Sequence, residues 1–404
     1  MTKHPKGWKI ERLDKLADVQ TGIAKGAQKE RPAVSLPYLR VANVQDGHVD
    51  LTEMKVIDVP ERKVNRFLLR RGDLLMTEGG DFDKLGRGCI WEGQIDPCVH
   101  QNHVFAVRVT SPELHNEFLE QLTASPWGRR YFLSCSKQST NLASVNTSQL
   151  KAFPVLLPPV SEQKKIATII GAWDTTMEKL QSLLTAKMER LRTLRQQLLT
   201  GTRRFPAFKK ERWSNLKLGD VVTYQPRLTT KPKGAFLAAG IRSHGKGVFL
   251  KHDFEAKDIA LEELWELRTD DLVVNITFGW EGAVAIVPPE ANGALVSHRF
   301  PTFIFKPGVS FPGYFRHVIR QQTFIFEMGL ASPGGAGRNR VLSKKNFLRI
   351  PIKLPPLEEQ KRIAAVLNAC AQEIHLLEAE LEALKLQKRG LMQKLLTGEK
   401  RVKP

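Results

Sequence analysis

An internal repeat limits what this chain of 404 residues can fold into. Residues 154–204 match residues 351–401 at a constant offset of 197 without a gap, and about two in five positions are identical. Both copies open with Leu-Pro-Pro and end in Leu-Leu-Thr-Gly before a shared arginine. Such a repeat predicts two copies of one unit, each a lobe of about 150 residues followed by a segment of about 45.

The lobes upstream of the two segments repeat much more faintly. Asp73-Leu74-Leu75 parallels Asp271-Leu272-Val273, and the helix-like stretch 118–133 parallels 315–330. One interpretation is drift at surface loops. The other is that the segments meet a common partner while each lobe meets a different one. We favour the second interpretation because the divergence covers whole lobes.

The repeated segments have the pattern of long helices that pack against each other. Apolar residues recur at alternating steps of four and three for more than four heptads, which is typical of a coiled coil. Double prolines fix an extended entry to each helix, and Gly201 and Gly398 provide C-terminal stops. The positions of this stripe include Ile166, Ile170, Trp173, Leu180, Leu184, Ile363, Leu367, Ile374, Leu377 and Leu381.

A stripe of this kind has to be buried, and the nearest partner is the other copy. We expect the two helices to pack antiparallel, with one lobe at each end. Lys187 and Lys388 interrupt the stripe at non-equivalent places. Either their stems cover apolar surface while the ammonium groups stay in water, which we favour, or they fix the register. Ile169, Leu183 and Val366 widen the stripe, which is consistent with added helices from a partner protein.

The lobes have a mixed α+β pattern, with strand-like runs at 73–76, 104–109, 271–277, 283–287 and 302–305. The expected organisation is therefore two globular domains separated by two long antiparallel helices, related by an internal pseudo-two-fold repeat. The predicted boundaries are 1–157 for the first lobe, 158–204 for the first helix, 205–354 for the second lobe and 355–404 for the second helix.

The chain carries 62 Lys and Arg against 42 Asp and Glu, a formal charge of +20. A folded body with this surplus attracts polyanions such as DNA, RNA or anionic lipid. The sequence has no apolar run of membrane-spanning length and no apolar core of a secretion signal near Met1. Its four irregularly spaced cysteines do not suggest a disulfide framework. These features predict a soluble, cytoplasmic protein.

Turn-rich stretches of the lobes combine glycine with basic and amide side chains. Arginine can pair with guanine and Asn or Gln with adenine through two hydrogen bonds each, while Lys and Ser contact phosphate. A single such loop is also what any solvated turn looks like, but similar loops recur in both lobes of a basic chain. The predicted DNA-binding residues are Lys84, Arg87, Gln138, Asn141, Trp280, His298, Arg299, Arg338, Asn339 and Arg340.

Motifs for catalysis are missing. The sequence has no Gly-x-x-x-x-Gly-Lys-Ser/Thr loop and no Asp/Asn-Pro-Pro-Tyr/Phe tetrapeptide of the kind that binds the target amine in amino-methyltransferases. Cys98, His100 and His103 have the spacing of metal ligands, but a structural or DNA-facing role is favoured because no fourth ligand is evident. We expect a chain without catalytic residues and without a metal site.

The sequence Leu-Pro-Pro-x-x-Glu-Gln-Lys-Lys/Arg-Ile-Ala occurs at 157–167 and at 354–364, and each copy opens a long helix that ends in Leu-Leu-Thr-Gly. This layout resembles the specificity subunit of type I restriction-modification systems. The resemblance implies two target-recognition domains that each read one part of a bipartite, asymmetric sequence in double-stranded DNA. It also implies that the helices act as a spacer and dock two modification (methyltransferase) subunits.

In that family the modification subunits carry S-adenosylmethionine and methylate adenine N6. Restriction subunits, where present, add cleavage that depends on ATP and Mg²⁺. The resemblance thus implies that this chain holds no cofactor itself. Two alternatives remain open: a self-sufficient DNA methyltransferase or nuclease with degenerate motifs, and a coiled-coil interaction protein whose basic lobes bind RNA.

Overall fold

The computed structural model describes residues 5–24, 31–80, 85–138, 143–335 and 340–403. The chain forms two compact units: residues 1–182 with 379–404 make up unit 1, and residues 183–378 make up unit 2. Each unit holds one lobe and a part of both long helices. This grouping differs from the four consecutive segments expected from the sequence, because helix packing joins residues that are far apart along the chain.

In its described residues, lobe 1 consists of short strands and four short α-helices, followed by a long helix that continues into unit 2. The strands are β1 Lys9–Arg12, β2 Ala17–Thr21, β3 Ala33–Leu39, β4 Lys55–Pro60, β5 Leu74–Thr77, β6 Gly79–Gly80, β7 Gly88–Ile90, β8 Val99–His100, β9 Val104–Val109, β10 Lys137–Gln138, β11 Ala143–Ser144 and β12 Pro154–Leu157. The helices are α1 Val64–Phe67, α2 Asn116–Ala124, α3 Pro126–Cys135, α4 Thr147–Lys151 and the long α5 Val160–Thr200.

Lobe 2 has the same mixture of elements and leads into the second long helix. Its strands are β13 Ser214–Lys217, β14 Val222–Tyr224, β15 Leu228–Thr230, β16 Phe236–Ile241, β17 Val248–Phe254, β18 Glu263–Glu266, β19 Leu272–Val274, β20 Val284–Ile286, β21 Leu295–Val296, β22 Thr302–Phe305 and β23 Pro351–Leu354. Its helices are α6 Leu218–Val221, α7 Pro312–Val318, α8 Gln322–Leu330, α9 Lys344–Phe347 and the long α10 Leu357–Leu396.

The central sheets of the two lobes have the same topology. Lobe 1 contains an antiparallel sheet with strand order β2-β9-β5-β7, and lobe 2 contains the matching order β14-β22-β19-β20. In each lobe the strand before the long helix also pairs with the strand that opens the lobe, β12 with β1 and β23 with β13. The α+β prediction and the faint repeat of the lobes are confirmed.

A repeated aspartate fixes the start of the central strand in each lobe. Asp73 accepts a hydrogen bond from the Arg70 amide at 2.8 Å, and its carboxylate forms an ion pair with Arg108 at 2.6 Å. Asp271 accepts from the Arg268 amide at 3.2 Å and pairs with Arg227. Both carboxylates are buried. A buried carboxylate needs a paired cation and hydrogen bonds. The cation comes from β9 in lobe 1 and from the residue before β15 in lobe 2.

The helix expected at 118–133 is in fact two helices, α2 and α3. Pro126 begins the second one, and the Ser125 hydroxyl caps it by accepting a hydrogen bond from the Gly128 amide at 3.3 Å. Proline has no amide hydrogen to donate and its ring clashes with the preceding turn, so a helix cannot run through it without distortion. The matching stretch at 315–330 is likewise divided, into α7 and α8.

The long helices follow the sequence pattern closely. Helix α5 has 41 residues and α10 has 40, so each is about 60 Å long. Each begins directly after its double proline and ends before a glycine with positive φ, +75° at Gly201 and +72° at Gly398. The ten positions predicted for the apolar stripe are all buried or half-buried.

The two helices run antiparallel within each unit. In unit 1 the start of α5 and the end of α10 share one core with lobe 1, which contains Ile166, Ile170, Leu395 and Leu396. In unit 2 the Lys187 ammonium group lies 2.6 Å from the Glu373 carboxylate. Residue numbers therefore rise along one helix as they fall along the other.

Both stripe lysines form ion pairs with a carboxylate of the opposite helix, and their side chains are half-buried, so the favoured prediction that their stems cover apolar surface stays a prediction. Lys388 forms an ion pair with Asp174 in unit 1, and Lys187 pairs with Glu373 in unit 2. The positions are not related by the repeat, and they therefore distinguish α5 from α10.

The repeated Glu-Gln of the two segments ties each lobe to its helices. In unit 1 the buried Glu162 carboxylate accepts hydrogen bonds from Trp8 Nε1 at 3.2 Å and from Arg401 Nε and Nη2 at 2.8 Å each. The Arg401 guanidinium also lies over the Trp8 ring at 5.6 Å. We call this Trp–Glu–Arg arrangement the clasp.

Unit 2 contains the same clasp, made of Trp213, Glu359 and Arg204. Trp213 Nε1 donates to Glu359 at 3.0 Å, Arg204 donates to the same carboxylate at 3.0 and 2.6 Å, and the guanidinium lies 5.7 Å from the Trp213 ring. In each unit the arginine lies a few residues beyond the end of one long helix, and the glutamate lies at the start of the other. The clasp therefore closes the antiparallel pair onto its lobe.

The glutamine beside each glutamate completes the attachment. The Gln163 amide group donates to the carbonyl oxygens of Glu113 and Pro158 at 2.7 and 2.8 Å, and it accepts from the His115 amide at 2.8 Å. Gln360 makes the equivalent three bonds to Val309, Pro355 and Phe311, each at 2.9 Å. Both side chains are fully buried, and all their polar atoms are satisfied.

Candidate nucleic-acid interface

Three loops of lobe 2 meet at the edge of its central sheet. The Ile276 amide donates to the Arg299 carbonyl at 3.0 Å, and the Leu342 amide donates to the Ile276 carbonyl at 2.9 Å. These bonds join the loop after β19, the loop before β22 and the segment that precedes α9. Four of the predicted residues, Trp280, His298, Arg299 and Arg340, lie in the joined loops.

Side chains of these loops also contact one another. Arg299 Nη1 donates to Thr277 Oγ1 at 3.2 Å, and the Arg340 guanidinium lies 5.7 Å from the Trp280 ring. His298 and Arg299 are exposed, whereas Trp280 and Arg340 are half-buried. Arg340 Nη2 donates to the Gly329 carbonyl at 2.8 Å. His298 and Arg299 can therefore reach a ligand, while Arg340 and Trp280 brace the loops.

Lobe 1 joins the equivalent loops by the same backbone hydrogen bonds. The Glu78 amide donates to the His103 carbonyl at 3.0 Å, and the Val145 amide donates to the Glu78 carbonyl at 2.8 Å. Strand β6 pairs with β11, which pairs with β10, so Gln138 lies on the same loop platform. The two lobes thus present one backbone arrangement with different side chains.

The side chains that occupy the lobe 1 platform differ from those predicted. The imidazole Nδ1 of His103 forms a hydrogen bond with the Glu78 carboxylate. Neither residue is among the ten candidates, although Glu78 is equivalent to Ile276 and His103 to Arg299 through the backbone bonds given above. A finer alignment of the faint repeat is the sequence signal that could have found them.

Arg87 is turned towards its own lobe. Its Nη2 donates to the Val41 carbonyl at 3.2 Å and its Nη1 lies 3.4 Å from Gln45 Oε1. Its Nε is buried without a hydrogen-bond partner among the described residues. This arrangement favours a supporting role for Arg87 in the loop before β7, and contact with DNA stays a prediction.

Four other candidates lie outside the described residues, namely Lys84, Asn141, Arg338 and Asn339. For these residues the DNA-binding role stays a prediction from the sequence.

The triad of Cys98, His100 and His103 is divided among different roles. His100 is buried and its Nδ1 lies 2.7 Å from the Val104 carbonyl, and burial lowers the pKa of His100 to about 4 despite this bond. Cys98 is buried, and burial raises its pKa to about 12. Within the described part of the chain, no group of three or more His, Cys, Asp or Glu side chains could hold a metal ion.

Comparison with protein families gives one match that covers both units. The family described as "Type I restriction modification DNA specificity domain" matches residues 5–187 and again residues 210–386. The two matched ranges correspond to the two copies of the repeat. Together they cover well over half of the chain.

Among characterised proteins, similar chains carry specificity-subunit names. One is the putative type I restriction enzyme MjaX specificity subunit of Methanocaldococcus jannaschii, 24% identical over 99% of this chain and 95% of that protein. Another is the type I restriction enzyme EcoKI specificity subunit of Escherichia coli, 26% identical over 46% of this chain and 39% of that protein.

Solved structures share the fold over nearly the full length. The HsdS subunit from Thermoanaerobacter tengcongensis matches with a TM-score of 0.52 and 16% identity, covering 98% of both chains. The type I restriction-modification system S subunit from M. genitalium matches with a TM-score of 0.58 and 14% identity, covering 98% of this chain and 97% of that one. A search of the described helices finds none that is long and apolar enough to cross a membrane.

Proposed function

Because this chain belongs to the type I restriction-modification DNA specificity family, we propose that it is the non-catalytic subunit that reads a bipartite, asymmetric site in double-stranded DNA. Each lobe reads one half of the site through its own loop platform. The chain also serves as the scaffold on which the modification subunits assemble.

The observation that carries the proposal is the duplicated loop platform with unlike side chains. The same pair of backbone hydrogen bonds joins the loops in both lobes. The platform of lobe 1, however, carries the contact between His103 and Glu78, and that of lobe 2 carries the contact between Arg299 and Thr277. Sequence in DNA is read by side-chain hydrogen bonds to base edges, so two platforms with different side chains suit two different half-sites.

The repeated segments support the assembly of partner subunits. Leu183 and Leu376 lie on the long helices and are exposed, at 44% and 58% of their surface. Large apolar side chains on an exposed helix face are consistent with cover from a partner. We propose two modification subunits that carry S-adenosylmethionine and methylate adenine. Where restriction subunits join the complex, they use ATP and Mg²⁺.

The test of this function is the methylome of a host that expresses the chain together with its modification subunit. We expect methylated adenines at one bipartite sequence whose two parts are separated by a fixed number of unspecified bases. Methylation without preference for any bipartite site would contradict the proposal.

The two alternative functions predict other results. A self-sufficient methyltransferase would bind S-adenosylmethionine as the isolated chain, which isothermal titration calorimetry would detect. An RNA-binding protein would keep its RNA complex in the presence of excess duplex DNA in an electrophoretic competition assay. The family match supports neither alternative.

A further inference from the structure

Glu78 lies where the loops of lobe 1 join. Its amide donates to the His103 carbonyl at 3.0 Å, and its carbonyl accepts from the Val145 amide at 2.8 Å, so the backbone of Glu78 is fixed from both sides. The residue follows strand β5, which ends at Thr77, and precedes strand β6, which begins at Gly79. The Glu78 side chain is 33% exposed. Its carboxylate therefore has a defined place on the lobe 1 platform and can still reach a ligand.

His103 orients the Glu78 carboxylate. Its Nδ1 donates to Glu78 Oε2, and its Nε2 lies 3.3 Å from Asn102 Nδ2. An amide nitrogen can only donate, so this pattern requires a hydrogen on His103 Nδ1 and a lone pair on Nε2, which is the neutral form of imidazole. Within the described part of the chain, no lysine or arginine forms an ion pair with Glu78. The carboxylate is thus held in position by a partner that does not cancel its charge.

Lobe 2 has different chemistry at the equivalent place. The backbone hydrogen bonds place Ile276 where lobe 1 has Glu78, and Arg299 where lobe 1 has His103. The Ile276 side chain has no polar atom, and the exposed Arg299 guanidinium can only donate hydrogen bonds. The lobe 2 platform therefore offers donors, whereas the lobe 1 platform offers a negatively charged acceptor.

A carboxylate on a surface that meets DNA can bind few of the groups that DNA presents. It repels the negatively charged phosphates, and it accepts hydrogen bonds without donating any. In the major groove the hydrogen-bond donors of the bases are the exocyclic amino groups, N4 of cytosine and N6 of adenine. The remaining polar groups on those base edges are acceptors, and glutamate is a known partner of cytosine N4. An exocyclic amino group is therefore the ligand that suits Glu78.

We propose that Glu78, positioned by His103, reads the exocyclic amino group of a cytosine or an adenine in the half-site bound by lobe 1. The inference rests on the proposed function and deepens it, because it states which base chemistry one lobe selects. A guanine or thymine at this position would place an acceptor against the carboxylate and leave both groups without a donor. Glu78 therefore rejects the wrong bases as well as binding the right one.

The test uses the full chain copurified with its modification subunits and a fluorescent duplex that carries the bipartite site. Each cytosine and adenine of the two half-sites, other than the methylated adenines, is replaced in turn by an analogue without the amino group, 2-pyrimidinone or unsubstituted purine. Fluorescence anisotropy measures the affinity for each duplex. At one position of one half-site we expect the analogue to weaken binding roughly tenfold through loss of the contact to Glu78. The base replaced there shows whether the amino group belongs to cytosine or to adenine.

Glu78→Ile removes the carboxylate and introduces the residue that lobe 2 has at the equivalent place. At the position found above, this variant should bind the natural duplex and the analogue with nearly equal affinity. The analogue weakens the base pair itself to the same extent for parent and variant, so the difference between them isolates the contact to Glu78. Removing a negative charge beside DNA should also strengthen binding to an unrelated duplex, which the loss of a merely structural residue would not do.

Glu113→Ile is the matched control. Glu113 carries an exposed side chain at the junction with α5, where the Gln163 amide group donates to its carbonyl. This variant should keep the full effect of the analogue. For the positioning role of His103, His103→Ala should reduce the effect of the analogue at the same position. His103→Asn, which can still donate to the carboxylate, should restore part of it.

Glu78→Gln answers the question if Glu78→Ile does not fold, because glutamine has nearly the size of glutamate. Its amide group donates as well as accepts hydrogen bonds. We expect this variant to tolerate thymine in place of cytosine, or guanine in place of adenine, at the position that depends on Glu78. Equal discrimination by the parent and Glu78→Gln would count against the contact.

Three results would overturn the inference. The first is an effect of the analogue that is the same for the parent and for Glu78→Ile at every position. The second is a loss of affinity spread evenly over all positions, which would indicate a structural role for Glu78. The third is an effect that Glu78 variants keep and His103→Asn loses, which would make the histidine the residue that contacts the base.

The proposed function and this inference fail in different ways. A complex that methylates DNA without preference for a bipartite site contradicts the proposed function itself. A complex that methylates one bipartite site, but in which no amino group depends on Glu78, refutes the reading by Glu78 alone.

Discussion

At the scale of single residues, the repeated Glu-Gln pair shows what sequence can and cannot predict. Its recurrence at 162–163 and 359–360 is visible at once, but its role in the clasp is not. Glu162 is bonded to Arg401, 239 positions away, and to Trp8 in the opposite direction along the chain. No local pattern links such distant residues, so only the packed helices reveal the connection.

Removing the clasp glutamate should destabilise unit 1. Burial would raise the pKa of Glu162, but hydrogen bonds from Arg401, Val402 and Trp8 outweigh burial and hold the pKa below its ordinary value. We expect Glu162→Ala to lower the free energy of unfolding by about 2–4 kcal/mol, since it leaves a cation and an indole without their partner. Urea denaturation followed by circular dichroism measures the change. Glu113→Ala, at an exposed ion pair, is the control and should cost less than about 1 kcal/mol.

Glu120 should make the stability of unit 1 depend on pH. Burial raises the pKa of Glu120 to about 7, with a further contribution from Asp174, although the Ile90 amide donates to its carboxylate. The folded state therefore holds a proton that the unfolded state releases near pH 4.5, and stability falls as the pH rises from about 4.5 to 7. Glu120→Gln removes this loss.

We expect Glu120→Gln to be more stable than the parent chain by about 2 kcal/mol at a pH above 7, with the difference vanishing at a pH below about 4.5. Thermal or urea unfolding at both pH values would measure it. Glu178→Gln, at an exposed position of α5, is the control and should differ from the parent chain by the same amount at both pH values. Equal stability of the parent and Glu120→Gln across this range would contradict the explanation.

Arg299 is the residue of the lobe 2 platform best placed to read a base. If it contacts guanine, Arg299→Ala should reduce discrimination at one base pair of one half-site by about 1–3 kcal/mol and leave the other half-site unchanged. Methylation rates on duplexes with single substitutions would show this. Arg268→Ala, which loses an exposed pair with Glu266, should leave both half-sites unchanged. A uniform loss on all duplexes would instead indicate that Arg299 contacts phosphate.

At the scale of elements, the sequence predicts the long helices well and the short ones less well. Heptads, double prolines and terminal glycines act together to define α5 and α10. By contrast, the stretch 118–133 is divided at Pro126, a signal that is present in the sequence but is masked by the helical pattern on both sides of it. The paired lysines could not be predicted, because their partners depend on the alignment of the two helices.

The length of the helix pair should set the gap between the two half-sites. An insertion in one helix alone would move Lys187 away from Glu373, so the change has to be made in both helices. One heptad inserted after Leu184 and another after Leu377 extends the pair by about 10 Å, or about three base pairs. We expect a methylome in which both half-sites are kept and the gap is about three base pairs longer. An unchanged gap in a folded, active complex would refute the spacer role.

At the scale of the whole molecule, each unit depends on residues from both ends of the repeat. A fragment of residues 1–208 keeps Trp8 and Glu162 but lacks Arg401. By the repeat, Arg204 of a second fragment could take the place of Arg401. In that dimer, however, Lys187 of one fragment would face Thr176 of the other, and Asp174 would face Leu191. The acidic and basic partners are missing because the two ion pairs of the full chain are not related by the repeat.

We therefore expect this fragment to associate weakly. The double variant Thr176→Glu, Leu191→Lys restores an acidic partner for Lys187 and a basic partner for Asp174. We expect it to dimerise more tightly, with a Kd lower by up to about tenfold for each ion pair restored. Sedimentation equilibrium would measure the two constants. Adding Arg204→Ala should weaken both dimers by removing the clasp. If the original and altered fragments dimerise equally, the ion pairs do not distinguish the helices.

The position of the clasps has a consequence for how such a gene could change. Each clasp brackets its lobe between a tryptophan and a glutamate, at 8 and 162 in one case and at 213 and 359 in the other. A gene segment from a relative, exchanged between these two points, would encode a different lobe together with the tryptophan and the glutamate that attach it to the helices. Recombination could then replace one half of the recognised sequence in a single exchange, without disturbing the other half or the assembly that depends on the arms.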